Sequence, residues 1–242
     1  MEEKKFISEC IRIFKLNNIE CTDTQACKLY ALTERMLEVN KTMNLTAIKD
    51  EKAIILKHYV DSITVSEYIP QNSTVIDIGC GAGFPSLPLA IFRPDLVITA
   101  LDGTAKRIAY VNETAKYLGL GNLTAISARA EELALDKSYR ERFDIVTARA
   151  VAALPILCEL CLPFARLGGS FIAMKSKQAD DELSASGKCI EICGGGEPRK
   201  ISLTLRSDNE EIEQRSLVAI EKIKETPKNY PRHYSKIAKK PL

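Results

Sequence analysis

The sequence contains no tryptophan, only two histidines, and no apolar run near the roughly 20 residues that span a membrane. Its first residues, MEEKKFISEC, lack the apolar core and cleavage site of a signal peptide. Positive charge is barely in excess, with 34 Lys and Arg against 32 Asp and Glu, so net charge alone does not indicate a nucleic-acid partner. With 45% hydrophobic residues the composition excludes collagen-like, disordered and fibrous proteins. We therefore expect a soluble, cytoplasmic protein without a membrane partner.

Eight cysteines are present, and without a secretory signal we expect them to be reduced thiols. The pairs Cys158-x-x-Cys161 and Cys189-x-x-x-Cys193 invite a zinc interpretation. However, Cys158 and Cys161 lie in an apolar, helix-like run, LPILCELCLPFARL. We therefore predict buried thiols that behave as small hydrophobes, and no metal site.

The hydrophobic pattern divides the chain into residues 1–68, a helical extension, and residues 69–242, an α/β domain with a basic tail. In the first part Phe6, Cys10 and Phe14 follow helical spacing, and Asp50 looks like the N-cap of a further helix. From residue 74 short apolar runs alternate with helix-like stretches, which predicts a parallel sheet with helices on both faces. CIEICGGGEPRKISLTL and RSLVAIEKI read as two further strands, added antiparallel at a sheet edge.

The glycine-rich segment VIDIGCGAGFP follows the first apolar run and precedes a helix-like stretch. Glycine permits the backbone conformations of such a turn and lets a ligand lie against the main chain. Gly79, Gly81 and Gly83 differ from the dinucleotide fingerprint because the third glycine comes one residue early, and Asp77 stands two residues before Gly79. The loop resembles motif I of class I S-adenosylmethionine methyltransferases; a plain structural turn is the alternative.

Asp102 ends the next apolar run, LVITALD. Ligands of open parallel sheets bind beyond the carboxyl ends of the strands, where an acid can accept hydrogen bonds from ribose hydroxyls. NAD enzymes use the same arrangement, and a helix cap is a further explanation. The resemblance to class I methyltransferases implies that the segment from Ser127 to Glu132 lines the adenine, and that the end of the fourth strand, where Arg149 stands, carries substrate-facing residues.

Taken in order, these motifs resemble bacterial 16S rRNA guanine-N7 methyltransferases, the RsmG or glucose-inhibited division protein B family. The similarity runs from about Asn40 to the basic tail and rests on Asn44-Leu45-Thr46, His58-x-x-Asp61-Ser62, Asp77-x-Gly79-x-Gly81-x-Gly83-Phe84-Pro85, Leu101-Asp102, Lys106-Arg107, Arg129-Ala130-Glu131, Arg149-Ala150 and Met174-Lys175. Two positions depart from the family pattern: Gly103 stands where Ser or Ala is common, and Ser176 where glycine is usual.

The resemblance implies a class I, Rossmann-like methyltransferase fold that transfers a methyl group from S-adenosylmethionine to N7 of a guanine in the 530 loop of 16S rRNA. It implies 16S rRNA or the small ribosomal subunit as partner, and a monomer without a stable protein partner. The cofactor-binding residues would be Gly79, Gly81, Gly83, Phe84, Asp102, Gly103, Thr104, Ala130, Glu131 and Arg149.

Guanine N7 carries a lone pair and no proton, so its methylation requires alignment of the reactants and no general base. The candidates for positioning the substrate are Asn44, His58, Arg149 and Lys175. Alternatively, Asn44 serves a turn, and His58, Asp61 and Ser62 form a buried polar network.

Seven basic residues lie between Lys222 and Leu242 against one acid, Glu225, and tyrosines are interleaved with them. This pattern suits a flexible arm that contacts RNA, although a solvated, poorly ordered tail has the same composition. The RNA-binding candidates are Arg129, Lys175, Arg215, Lys228, Arg232 and Lys236. Three other functions stay open: a non-catalytic RNA-binding or cell-division factor, a methyltransferase for a non-RNA substrate, and an NAD oxidoreductase.

Overall fold

A computed structural model describes residues 2–176, 179–207 and 212–242. The strands are β1 Thr74–Ile78, β2 Val97–Asp102, β3 Leu123–Ser127, β4 Phe143–Arg149, β5 Ala165–Lys175, β6 Arg199–Arg206 and β7 Ile212–Glu221. The α-helices are α1 Glu3–Leu16, α2 Asp23–Met43, α3 Glu51–Ile54, α4 Asp61–Ile63, α5 Ser86–Phe92, α6 Ala105–Tyr117, α7 Ala130–Leu133, α8 Leu154–Cys161, α9 Ala179–Ser184, α10 Gly187–Ile192 and α11 Tyr234–Lys239.

The strands form one seven-stranded sheet in the order β3-β2-β1-β4-β5-β7-β6. The first five strands are parallel, and β7 and β6 are added antiparallel beyond β5. The predicted α/β class and the antiparallel edge are confirmed. The strand order reverses between β1 and β4, and the carboxyl ends of these strands border the crevice where such folds bind ligands.

The N-terminal helices pack on one face of the sheet and share a hydrophobic core with it. Thr22 and Gln25 form a reciprocal capping box at the start of α2. Phe6, Phe14 and Met36 are fully buried in the same cluster as Val75 of β1. The division near residue 68 stays a prediction, because the two parts are joined through one core.

The helix that was predicted after Asp50 is interrupted. Asp50 caps it as expected by accepting from the Ala53 N–H, but the segment Ile55–Val60 is a π-helical turn between α3 and α4. A π turn adds a residue per turn and rotates the side chains that follow, and such turns are frequent at functional sites. His58 lies in this π turn, and Asp61 and Ser62 begin the α-helical turn that follows it.

The run containing Cys189 and Cys193 was predicted as a strand, and this is wrong because it forms helix α10 and the turn after it. A short apolar run cannot be assigned to strand or helix from its periodicity. The predicted burial of Cys158 and Cys161 is confirmed, and all eight cysteines are free thiols. Within the described ranges no helix is long and apolar enough to cross a membrane, and no three metal-ligating side chains cluster.

The basic tail is packed against the domain, which corrects the prediction of a flexible arm. The Arg232 guanidinium and backbone N–H bind the Glu159 carboxylate of α8 at 2.7–2.8 Å. Arg140 donates to backbone carbonyls of Thr226 and Tyr230, and Ile237 of α11 is fully buried. Glu159 is completely buried, and a buried carboxylate needs a cationic partner. The distribution of charges along the sequence did not indicate that Arg232 is this partner.

Candidate functional site

The glycine loop after β1 adopts the predicted strand–turn–helix geometry. Gly79, Gly81 and Gly83 all have positive φ, between +56° and +88°. A Cβ on Gly79 would lie 2.6 Å from a methyl of Val151, and one on Gly83 would lie 2.5 Å from Leu87, whereas Gly81 faces open space. The loop therefore packs tightly at its two ends and exposes bare backbone in the middle.

Asp102 joins the end of β2 to this loop. Its Oδ2 accepts from the Gly81 N–H at 3.1 Å, and its Oδ1 accepts from the Thr104 N–H at 2.8 Å. Helix α6 has Thr104 as its N-cap, without a side-chain cap, so the helix-cap explanation of Asp102 is wrong. A carboxylate can accept about four hydrogen bonds, so both oxygens retain capacity for a ligand.

A first cavity of about 240 Å³ opens beside Asp102. The predicted cofactor residues that line it are Gly79, Asp102, Gly103, Thr104, Ala130 and Glu131. Ile78, Leu101 and Leu160 add apolar walls. An acid beside an apolar slot and bare backbone matches the sugar, base and polar tail of a nucleoside cofactor. The remaining candidates, Gly81, Gly83, Phe84 and Arg149, do not line this cavity.

A second cavity of about 400 Å³ lies next to the first, because Ala150 lines one and Val151 the other. It contains three of the four predicted positioning residues, His58, Arg149 and Lys175, together with the RNA candidate Arg215. Asn44, the fourth, lines neither cavity; it ends α2 in a left-handed conformation, which supports the turn interpretation.

Each cation of the second cavity has an acidic partner. Asp61 accepts from Arg149 at 2.9 Å and from Arg215 at 3.2 Å. Lys175 pairs with Glu182 at 2.6 Å, and Lys57 of the π turn pairs with Glu213 at 2.6 Å. Sequence reasoning missed Lys57, Glu182 and Glu213, because their roles depend on the π turn and on contacts between elements that are distant in sequence.

Phe84 packs against two residues of the second cavity in an aromatic stack. The His58 ring is stacked on it at a centroid distance of 4.6 Å and an interplanar angle of 9°. The Arg149 guanidinium carbon is 5.4 Å from the same ring. Phe84 is buried by protein and packs against His58 and Arg149, which line the second cavity.

His58 is held in its neutral form. Its Nε2 lies 2.8 Å from the Thr46 hydroxyl, while Nδ1 is buried without a hydrogen-bond partner among the described residues. Burial, and then the positive charge of Arg149, lower the pKa of His58 to about 4. Neutral His58 therefore adds no positive charge to the second cavity at pH 7.

This shift predicts a loss of stability in mild acid. Between about pH 6.5 and 4 the unfolded chain binds a proton on His58 that the folded chain does not, so stability falls as the pH falls through this window. The slope is at most about 1.4 kcal/mol per pH unit. Urea unfolding across this range should show the loss in the wild type and in His233→Gln, but a smaller loss in His58→Gln.

Asp77 acts in the opposite direction in part of the same window. Burial raises its pKa to about 6, although Ser86 and Thr147 donate hydrogen bonds to the carboxylate. Its contribution to stability is therefore lost as the pH rises from about 4 to 6. The difference between wild type and His58→Gln isolates the histidine, and identical pH profiles for the two proteins would contradict its assignment.

The predicted RNA-binding residues are distributed over three environments. Lys175 and Arg215 lie in the second cavity, and Arg129 lies at the first. Lys228 and Lys236 are exposed on the tail. Arg232 is occupied by Glu159, so its position is explained by anchoring of the tail.

The seven-stranded sheet with its antiparallel strand beside β5, the glycine loop and the acid at the end of β2, together with the family match given below, identify a class I S-adenosylmethionine-dependent methyltransferase. Among solved structures, M. jannaschii TYW2 in complex with AdoMet resembles this chain with a TM-score of 0.52 and 16% sequence identity, over 67% of this chain and 75% of that one. The chain belongs to the family described as rRNA small subunit methyltransferase G, whose model matches residues 25–210.

Relatives of the same name align along nearly the whole chain. Ribosomal RNA small subunit methyltransferase G of Lactobacillus acidophilus is 40% identical over 246 residues and covers all of both chains. The protein of that name from Desulforamulus reducens is 42% identical over 227 residues, which is 92% of each chain. The family that the sequence motifs indicated is thereby confirmed.

Proposed function

We propose that this chain transfers the methyl group of S-adenosylmethionine to N7 of a guanine in the 530 loop of 16S rRNA. The observation that carries the proposal is the pair of adjacent cavities, one suited to a nucleoside and the other lined by arginine and lysine side chains. S-adenosylmethionine supplies an electrophilic methyl group on a sulfonium. The family match establishes a methyltransferase of the small-subunit rRNA. The proposal adds the methylated atom, N7, and the region of the rRNA, the 530 loop.

In the first cavity Asp102 accepts hydrogen bonds from the ribose hydroxyls, and Ala130 and Glu131 contact the base. The backbone of Gly79 and Gly81 approaches the amino-acid end of the cofactor, where no side chain intervenes. The AdoMet complex of M. jannaschii TYW2, which shares this fold, supports the choice of ligand.

In the second cavity the protein aligns the guanine and limits the electrostatic repulsion of its positively charged product. N7 attacks the methyl carbon with its own lone pair as the methyl–sulfur bond breaks and the neutral thioether S-adenosylhomocysteine leaves, so the step requires no general base. Asp61 neutralises Arg149 and Arg215, and His58 stays uncharged, which limits repulsion of a positively charged ring. The basic side chains are better suited to phosphates of the same loop.

The remaining contacts extend from the cavity to the surface. Arg129 lines the first cavity, and Lys228 and Lys236 are exposed cations of the tail that are free to contact RNA phosphates. We propose that the protein acts as a monomer in the cytoplasm, where its ribosomal substrate is made.

The proposal predicts that deleting the gene removes one methyl group from 16S rRNA. Mass spectrometry of nuclease fragments should find it in the 530 loop of the parent strain only. Treatment with borohydride and then aniline breaks an RNA chain at N7-methylguanine. In the parent strain this cleavage should occur at the same guanine. The wild-type gene should restore the methyl group, and the Asp102→Ala gene should not.

Two results would overturn this function. One is an identical 16S rRNA methylation pattern in the deletion and parent strains. The other is a lost methyl group on a different atom or in a different rRNA. Purified protein tested with naked 16S rRNA and with small subunits from the deletion strain separates these two substrates.

A further inference from the structure

The outer side of the first cavity is formed by the C-terminal tail. Tyr234, the first residue of α11, lines the cavity together with Leu160 and Arg129. The match to the family model ends at residue 210, so Tyr234 lies beyond the matched region, whereas Arg129 and Leu160 lie within it. Besides its charge and its packing against the domain, the tail therefore contributes an aromatic ring to the cofactor cavity.

Arg129 connects the end of β2 to the tail. Its guanidinium carbon lies 5.0 Å from the centroid of the Tyr234 ring. A Cβ added to Gly103 would approach the Arg129 side chain to 3.3 Å, so the arginine stem runs close over Gly103. Gly103, Arg129 and Tyr234 therefore form one continuous wall, with a planar guanidinium and an aromatic ring in contact.

The position of Tyr234 is fixed by the residues on either side. Arg232, two residues before it, is bound by the buried Glu159 carboxylate. Ile237, three residues after it, is completely buried. A ring held from both sides presents a rigid surface to the cavity, which reduces the entropy lost when a ligand packs against it.

We propose that Tyr234, positioned by Arg129, binds the purine end of S-adenosylmethionine, so that the C-terminal segment completes the cofactor site. Ala130 and Glu131, on the same side of the cavity, are the residues that would contact the base. An aromatic ring and a guanidinium plane are surfaces on which purines stack. This inference rests on the proposed placement of the cofactor in the first cavity.

The test measures binding of S-adenosylmethionine and of adenosine to the full chain by isothermal titration calorimetry. Tyr234→Ala should weaken both ligands about tenfold, because the lost contact is with the purine that they share. Tyr234→Phe keeps the ring and should bind within about twofold of wild type. Tyr234→Leu keeps apolar bulk without the ring and should resemble Tyr234→Ala.

Tyr117→Ala is the matched control. Tyr117 also pairs with an arginine, Arg35, at 5.6 Å, but lies on the exposed end of α6 away from both cavities. Its removal should leave ligand affinity unchanged. Circular dichroism and urea unfolding of each variant identify any loss of affinity that follows from unfolding.

Binding of Tyr234→Ala and Tyr234→Leu at wild-type affinity would overturn the inference, as would equal losses in Tyr234→Phe and Tyr234→Ala. Asp102→Ala, titrated in parallel, separates the two proposals. If Asp102→Ala weakens binding and the Tyr234 variants do not, only the role of the tail fails. If Asp102→Ala also binds normally, the placement of the cofactor fails with it.

Discussion

Asp102→Ala should lower the affinity for S-adenosylmethionine about a hundredfold. Hydrogen bonds to a charged group contribute about 1.5–3 kcal/mol each, so two ribose contacts amount to about 3 kcal/mol or more. Every 1.4 kcal/mol is about a factor of ten in the dissociation constant. The variant also loses the bonds to the N–H groups of Gly81 and Thr104, which fix the loop around the ligand. Calorimetric titration of the purified chain measures the change.

Asp102→Asn and Glu132→Ala make this result specific. Asn keeps one acceptor oxygen but no charge, so its affinity should fall between those of wild type and Asp102→Ala. Glu132 is an exposed acid at the edge of the same region, and its removal should change affinity less than about twofold. If Asp102→Ala bound the cofactor as tightly as Glu132→Ala, the ribose assignment would be wrong.

Arg232→Ala should lower the free energy of unfolding by about 3 kcal/mol. The substitution leaves the Glu159 carboxylate completely buried without its cationic partner, which is among the most destabilising changes a protein can undergo. Urea unfolding at pH 7 measures the loss. Lys228→Ala removes an exposed charge of the same tail and should change stability by less than about 0.5 kcal/mol.

The double variant Arg232→Ala/Glu159→Ala tests the cause of this loss. It no longer buries an unpaired charge, so it should be more stable than the sum of the two single changes allows. Additive losses would contradict a direct interaction. RNA binding measured on the same proteins distinguishes the two functions of the tail: Lys228→Ala should weaken RNA binding in a fully folded protein.

The fold and the cofactor edge could be predicted because both are local in the sequence. Alternating apolar runs and helix-like stretches determine the parallel sheet, and the turn geometry requires glycine at Gly79 and Gly83. Asp102 follows its strand directly, so its place at the carboxyl edge follows from the sheet alone. These features depend on neighbouring residues and on the rules by which strands are connected.

Other parts depend on contacts that no short pattern encodes. The π turn at Ile55–Val60 has the composition of an ordinary helix, and it contributes Lys57 and His58 to the second cavity. The anchoring of the tail requires the pairing of Arg232 with Glu159, 73 residues earlier. The number of basic residues in the tail predicted a mobile arm. That number does not include acids elsewhere in the sequence, such as Glu159, that contact these residues in the folded protein.

Under the proposed function, in which RNA enters the second cavity, the bridging carboxylate of Asp61 affects how its phosphates bind. Arg149 and Arg215 already share this acid, Lys57 and Arg215 share Glu213, and Lys175 pairs with Glu182. An arriving phosphate therefore exchanges places with a carboxylate instead of neutralising a bare cation, and the net gain from charge alone is small. We therefore expect selectivity at the second cavity to come from the shape of an RNA loop whose phosphates can pair with all four cations at once. A generic polyanion should bind there with low affinity.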